Sequence, residues 1–177
     1  LAGGILNGNL NLGFGGTLVT DLVNAGSGQF AGITGKVTAG SGSSLRYSTS
    51  TDASATLATG KVGPFSDVGY QVIDGAVLTL TASGNGARKR ALTLAGNGSI
   101  DLDANITVSG NYAIRTTSAI TYPGQSATSG VLSIVSHGNI AITRTDPGYY
   151  YGPSGGIALN SNDNFINAGT IRVKDTL

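Results

Sequence analysis

The feature that most constrains the fold of this chain is the alternation of apolar and polar residues around a glycine turn in residues 91–108. Leu92 and Leu94 share one face of a first strand, which the turn Gly96-Asn97-Gly98 ends. After the turn, apolar residues occupy every second position, namely Ile100, Leu102, Ala104, Ile106 and Val108. A period of two residues is typical of a strand with one buried and one wet face. The stretch therefore predicts a strand, a tight bend and a second strand.

The same pattern returns from residue 132 onward. Leu132, Ile134, Gly138, Ile140 and Ile142 take the places of Leu92, Leu94, Gly98, Ile100 and Leu102. A shorter Gly-x-Ile/Leu-x-apolar unit occurs at residues 8–12 and 169–173. Internal repeats of this length indicate either a solenoid or a propeller. A ring of aromatic-rich blades does not fit 177 residues with 6% aromatics, so we predict a parallel β-helix, with a meander of glycine-rich hairpins as the alternative for residues 1–40.

The composition favours strands and turns over helices. Glycine supplies 29 residues, all nine acidic residues are Asp, and Met, Trp and Cys are absent. Few residues that favour helices remain, whereas residues that favour strands and turns are abundant. The chain is 40% hydrophobic with a net charge of +1, which is not the composition of a disordered protein. We predict an all-β fold, and with no Cys and one His we expect no metal and no cofactor.

Three segments break the repeat, at about 41–71, 111–130 and 145–156. They are rich in Gly, Ser, Thr or Pro and predict loop excursions from one unit that spans residues 1–177. Insertions of this kind are tolerated at the corners of solenoids and often lie on a binding face. Because the chain begins with Leu1 and has neither a basic leader nor a long apolar run, we expect it to be part of a longer protein whose export signal lies elsewhere.

The repeats resemble those of a known class of bacterial proteins. LTLAGNGSIDL at 92–102, LSIVSHGNIAI at 132–142 and NAGTIRV at 167–173 are similar to the coils of autotransporter passenger domains and filamentous-haemagglutinin-like exoproteins. The resemblance covers about half of the chain well. It implies a right-handed, three-faced parallel β-helix on the surface of a Gram-negative bacterium or secreted from it, and a role in adhesion, aggregation or display.

Two short segments are the candidate binding sites. Tyr149, Tyr150 and Tyr151 lie between two Pro/Gly pairs, and tyrosines in an exposed loop suit contacts with a glycan or a protein. The alternative is that their rings fold back onto the solenoid. The run Arg88-Lys89-Arg90 is suited to a polyanion such as DNA, lipopolysaccharide or an acidic glycan, and its alternative is a solvated bend.

Other polar residues are better explained by structure than by catalysis. Asp101 and Asp103 project from one face of a strand and predict a solvated surface, because no further calcium ligands are identified beside them. His137 is the only histidine, and its position in a glycine turn predicts a turn residue. There is no Gly-x-Ser-x-Gly nucleophile motif. We therefore expect no enzymatic activity.

Together these observations predict a structural and adhesive section of a bacterial cell-surface or secreted protein. The alternatives are a subunit of a self-assembling extracellular filament and, less in keeping with the residues, a polysaccharide lyase or glycoside hydrolase on a β-helix. The expected partners are a host or bacterial surface glycan or protein, or copies of the chain itself. A net charge near zero argues against nucleic acid. We expect contact with the outer membrane only through a separate translocator domain.

Overall fold

The prediction of an all-β fold is confirmed. A computed structural model describes residues 5–22, 30–88, 90–110, 112–120, 130–144 and 156–175. These residues form fifteen strands and no helix. In particular, no helix among them has the length and apolar character needed to cross a membrane.

The strands are short, apart from two long ones. In chain order they are β1 (Leu10–Leu12), β2 (Thr17–Asp21), β3 (Val37–Ala39), β4 (Ser44–Thr49), β5 (Ala53–Thr56), β6 (Asp67–Val72), β7 (Val77–Arg88), β8 (Leu92–Gly96), β9 (Ser99–Ser109), β10 (Tyr112–Thr117), β11 (Ser133–Ser136), β12 (Ile140–Arg144), β13 (Gly156–Ala158), β14 (Asn164–Asn167) and β15 (Ile171–Asp175).

The strands pair in parallel within three sheets. Sheet A has the order β13-β10-β8-β6-β4-β2. Its strands are thus arranged in the order of the chain, and any two neighbours are separated in the sequence by strands of another sheet. Sheet B has seven strands, in which β7 pairs with β5 and β9, and β9 pairs with β11 and β12 on its other side; β14 and β15 follow. β1 and β3 form a separate pair. A parallel pair needs a long crossover connection, and here each crossover contains strands of another sheet.

Apolar residues stack across neighbouring strands and form one core. In sheet A, Leu45 is paired with Leu18 and Val68. In the next inward row, the rings of Tyr47 and Tyr70 lie 5.8 Å apart, and both are fully buried. Sheet B contributes further rows of this kind, including Leu78, Ile100, Ile134 and Phe165. Stacked apolar side chains of similar size remove large areas from water, which is the main stabilisation of the fold.

The equivalence predicted between the two clearest repeats was wrong in its register. The structure pairs Ile134 with Ile100 and Ile140 with Ile106, so residues 133–142 correspond to 99–108 and not to 92–102. The two glycine turns look alike in sequence but occupy different places. Gly98 lies between a strand of sheet A and one of sheet B, whereas Gly138 lies between β11 and β12 of sheet B.

Two of the predicted loop excursions contain strands. β4, β5 and most of β6 lie within residues 41–71, and β10 lies within 111–130. These strands were missed because they are only four to six residues long, and because the partly buried positions of β5 carry Ala. Several of their polar side chains are also buried. The segments 57–66 and 118–120 remain outside the strands. Of residues 145–156, all but Gly156 lie outside the described part of the chain.

Asparagine side chains connect neighbouring strands at one corner of sheet B. The Oδ1 atom of Asn105 accepts the backbone N–H of Asn139 at 2.8 Å, and Oδ1 of Asn139 accepts the N–H of Thr170 at 2.9 Å. The same contact joins Asn9 to the N–H of Lys36 at 2.8 Å, just before β1 and β3. We call the series of contacts from Asn105 through Asn139 to Thr170 the asparagine ladder. It satisfies backbone donors where the chain bends and strand pairing lapses.

Candidate functional site

A cleft with only basic and neutral lining residues opens beside the carboxyl end of β7. We call it the basic cleft; its volume is about 690 Å³. Its polar side chains are three cations and three hydroxyls, from Lys61, Arg88, Arg90, Thr59, Ser66 and Ser109. Among the described residues that line it, none is acidic. The arrangement suits a ligand with negative charge.

One wall of the basic cleft is the connection between β5 and β6, residues 57–66. Leu57, Val62 and Phe65 are buried and anchor this segment in the core. Val62 and Phe65 each donate a backbone hydrogen bond to the other, both at 2.9 Å. The ring of Phe65 also meets the edge of Phe30, with centroids 5.8 Å apart. The wall is therefore held by packing and hydrogen bonds along its length.

Arg88 forms the inner end of the cleft. Its pairing partner Val108 on β9 is fully buried, so the two strands direct both side chains inward, and Arg88 is only 7% exposed. Its guanidinium donates to the backbone carbonyls of Val68, at 2.6 Å, and of Ala58, and Nε donates to the carbonyl of Arg90 at 3.4 Å. The residue thus joins segment 57–66, β6 and the chain that follows β7.

The predicted charge run is not a single basic patch. Arg88 is buried, whereas Arg90 is exposed and lines the cleft, and Lys89 lies outside the described residues. The second exposed cation comes from Lys61, which is distant in sequence and was not a predicted site residue. No local motif identifies Lys61, since only the packing of segment 57–66 brings it to the cleft.

Burial dominates the electrostatics of the cleft. Desolvation lowers the pKa of Arg88, while the nearby Tyr70 and Asp67 act in the opposite direction. An arginine side chain nevertheless keeps its proton in proteins. Desolvation also raises the pKa of Tyr70, whose hydroxyl accepts the N–H of Ala58 at 2.8 Å. Within the described residues, Arg88 forms no ion pair with a carboxylate, and the groups that accept its hydrogen bonds are backbone carbonyls.

A second buried polar group lies on the outer side of sheet A and was also missed by the sequence analysis. Arg46 is 8% exposed and donates to Oγ1 of Thr117 at 2.9 Å. Desolvation lowers its pKa, an effect that Asp67 opposes. Arg115 forms an ion pair with Asp67 at 3.4 Å. Arg46 also donates to the carbonyl of Ser118 at 3.5 Å, so these contacts tie neighbouring strands to the start of segment 118–120 and indicate a structural role.

The remaining predicted residues are spread over the molecule. Tyr149, Tyr150 and Tyr151 lie outside the described residues. Asp103 is exposed on β9, and its Oδ1 is 3.9 Å from Nε2 of His137. A group of three or more metal-binding side chains does not occur in the part of the chain that the structure describes.

Comparison with known proteins gives no relative: no family model, curated protein or solved structure matches this chain. Its function therefore has to be inferred from its own geometry and charges.

Proposed function

We propose that this chain is a structural and adhesive section of a bacterial cell-surface or secreted protein, wound as a right-handed parallel β-helix. The observation that carries the proposal is the strand order of sheet A. Its strands β2, β4, β6, β8, β10 and β13 follow the order of the chain, and each is parallel to the next. A chain that returns to the same sheet after every lap, always in the same direction, supports the proposed winding as a solenoid.

The two halves of β9 support a winding with three faces. Ile100, in the first half, pairs with β11, and Ile106, in the second half, pairs with β12. β12 begins after a corner at Gly138, so on this side β9 pairs with two successive strands, which we assign to two faces. Together with sheet A, this division supports the three faces that we propose. The handedness comes from the resemblance to exported β-helix proteins.

A structural role follows from the way such a fold is stabilised. Each level is joined to the next by backbone hydrogen bonds and by the apolar rows, at a spacing of about 4.8 Å. Outward positions of β9 such as Asp103 and Asn105 are exposed, which suits display of a binding surface. We propose a surface glycan or protein as the partner, and no catalytic activity.

The edge of the last strands favours one alternative, a self-assembling filament. Among the described strands, β13, β14 and β15 pair on one side only. Several apolar side chains near this edge are exposed, namely Leu159, Ile166, Ile171 and Val173. An open edge with apolar side chains is a template for further strands, either from more of the same protein or from a second copy.

An adhesion assay combined with light scattering tests the proposal. The purified chain is coated on a surface, and retention of bacterial and host cells is compared with retention on a coat of heat-unfolded protein. We expect the folded coat to retain more cells while the protein in solution remains monomeric. Equal retention on both coats would contradict adhesion. Fibres that grow with protein concentration would favour the filament, and release of new reducing ends from an acidic polysaccharide would instead indicate an enzyme.

A further inference from the structure

We propose that the basic cleft binds a glycan that carries carboxylate or sulfate groups. The proposal concerns one local site and holds whether or not the whole molecule is adhesive. Three of the ten basic residues of the chain line this cleft, although the net charge of the protein is only +1. Like charges that are held together without acidic side chains between them repel one another, and a bound anion relieves that repulsion.

Arg88 gives the site a buried charge with spare donors. A guanidinium side chain has five N–H groups, and three of those of Arg88 donate to the carbonyls of Ala58, Val68 and Arg90. Each terminal nitrogen therefore keeps one further N–H. A guanidinium with an N–H group left on both terminal nitrogens can bind carboxylate or sulfate oxygens in two places at once. With an exposed fraction of 7%, Arg88 is shielded from the water that would otherwise satisfy these donors.

Lys61 and Arg90 complete the anion site from its rim. Both side chains are exposed and line the cleft. The carbonyl of Arg90 accepts the hydrogen bond from Nε of Arg88, which fixes the backbone from which the side chain of Arg90 extends. The one carboxylate that acts on the Arg88 charge, that of Asp67, is already paired with Arg115 at 3.4 Å. It is thus not a competitor for the cations of the rim.

The hydroxyl groups favour a sugar over other anions. Thr59, Ser66 and Ser109 line the same cleft and offer donors and acceptors that match sugar hydroxyls. A volume of about 690 Å³ lies within the usual size of small-molecule sites. Nucleic acid is disfavoured, because binding of single strands relies on aromatic side chains for base stacking, and the described residues that line this cleft include none.

Calorimetric titration with a chondroitin-type sulfated disaccharide tests the site. Lys61→Gln and Arg90→Gln each remove one exposed cation, and we expect each to raise the Kd by roughly tenfold. Arg172→Gln on β15 is the matched control, since it removes the same charge from an exposed position outside the cleft. Its Kd should stay within about twofold of the unmodified protein. Circular dichroism verifies that all three variants fold.

Three further ligands define what would overturn the proposal. Lactose, which has no charged group, should not bind, and inorganic sulfate should bind more weakly than the disaccharide. Equal affinity for sulfate would reduce the site to a simple anion site, and tighter binding of a short single-stranded DNA would assign it to nucleic acid. The absence of binding to the disaccharide, or an equal loss in Arg172→Gln, would refute the site.

Discussion

Gln71 and Ile120 are joined by two hydrogen bonds, although they are 49 positions apart in the chain. The N–H of Ile120 donates to Oε1 of Gln71 at 3.0 Å, and Nε2 of Gln71 donates to the carbonyl of Ile120 at 2.9 Å. The amide side chain thus replaces the backbone partner that a neighbouring strand would supply. It holds segment 118–120, which leaves β10, against the outer side of β6.

Replacing Gln71 by Ala should release this segment. The variant leaves both backbone groups of Ile120 without their partner, and we expect a loss of about 1–2 kcal/mol in local stability. Hydrogen exchange measured by NMR should become faster at the amide of Ile120. The amide of Ile114 within β10 is the internal control, because that strand remains paired with β8 and β13. Equal acceleration at both amides would mean that the whole strand depends on Gln71.

Gly138 occupies a position where strands of sheet B approach closely. A Cβ atom at this residue would overlap the carbonyl oxygen of Ala104. Gly138→Ala should therefore destabilise the fold by about 1–3 kcal/mol, because the turn between β11 and β12 would have to move away from the backbone of β9. Urea unfolding measures this loss.

Gly13→Ala is the matched control for that substitution. A Cβ atom at Gly13 meets nothing within 4 Å, and its backbone does not have a positive φ. Its free energy of unfolding should change by less than about 0.5 kcal/mol. If both variants lost the same stability, the close approach at Gly138 would not be the cause.

The asparagine ladder gives a third prediction. Asn139 is its middle residue, so Asn139→Ala removes the acceptor for the N–H of Thr170 at the corner between β14 and β15. We expect a loss of about 1 kcal/mol in the free energy of unfolding and faster hydrogen exchange at Thr170. Asn164→Ala removes an exposed side chain of the same type on β14 and should change neither quantity. Unaltered exchange at Thr170 in Asn139→Ala would contradict the ladder.

The local pattern of the sequence predicts a strand well where every second residue of that strand points into the core. Ile100, Leu102, Ala104, Ile106 and Val108 were predicted to share a face, and all five are buried along β9. Pairing between strands is harder to predict. The match of Ile134 with Ile100 depends on where the chain turns between sheets, and two similar glycine turns do not distinguish the corners.

The candidate site was predicted only in part, for a similar reason. Arg88 and Arg90 belong to the charge run that the sequence singles out, but their opposite environments follow from the position of Arg88 at the end of β7. The third cation, Lys61, comes from a segment whose position depends on buried anchors such as Phe65. Contacts between distant parts of the chain therefore decide which charges meet.

Replacing Arg88 by Met should destabilise the protein even though it removes a buried charge. The carbonyls of Ala58 and Val68 would lose their donor, and an unpaired buried polar group is unfavourable. We expect a loss of about 1–3 kcal/mol in urea unfolding. Arg90→Met, at an exposed position, should change stability by less than about 0.5 kcal/mol. A more stable Arg88→Met variant would show that desolvation of the guanidinium outweighs its hydrogen bonds.

Tyr70 predicts how stability responds to alkaline pH. Burial raises the pKa of its hydroxyl above the ordinary value, which is about 10. Above pH ~10 the unfolded chain therefore loses a proton that the folded chain retains, so stability is unaffected below that pH and falls above it, by at most about 1.4 kcal/mol for each pH unit. In Tyr70→Phe this part of the decline should be absent, although the lost bond to Ala58 lowers stability by about 1 kcal/mol at neutral pH. Urea unfolding at neutral and alkaline pH measures both effects.

Tyr112→Phe, which alters a partly exposed ring on β10, should retain the full decline. If Tyr70→Phe declined as steeply as Tyr112→Phe, the buried hydroxyl would not be the group responsible.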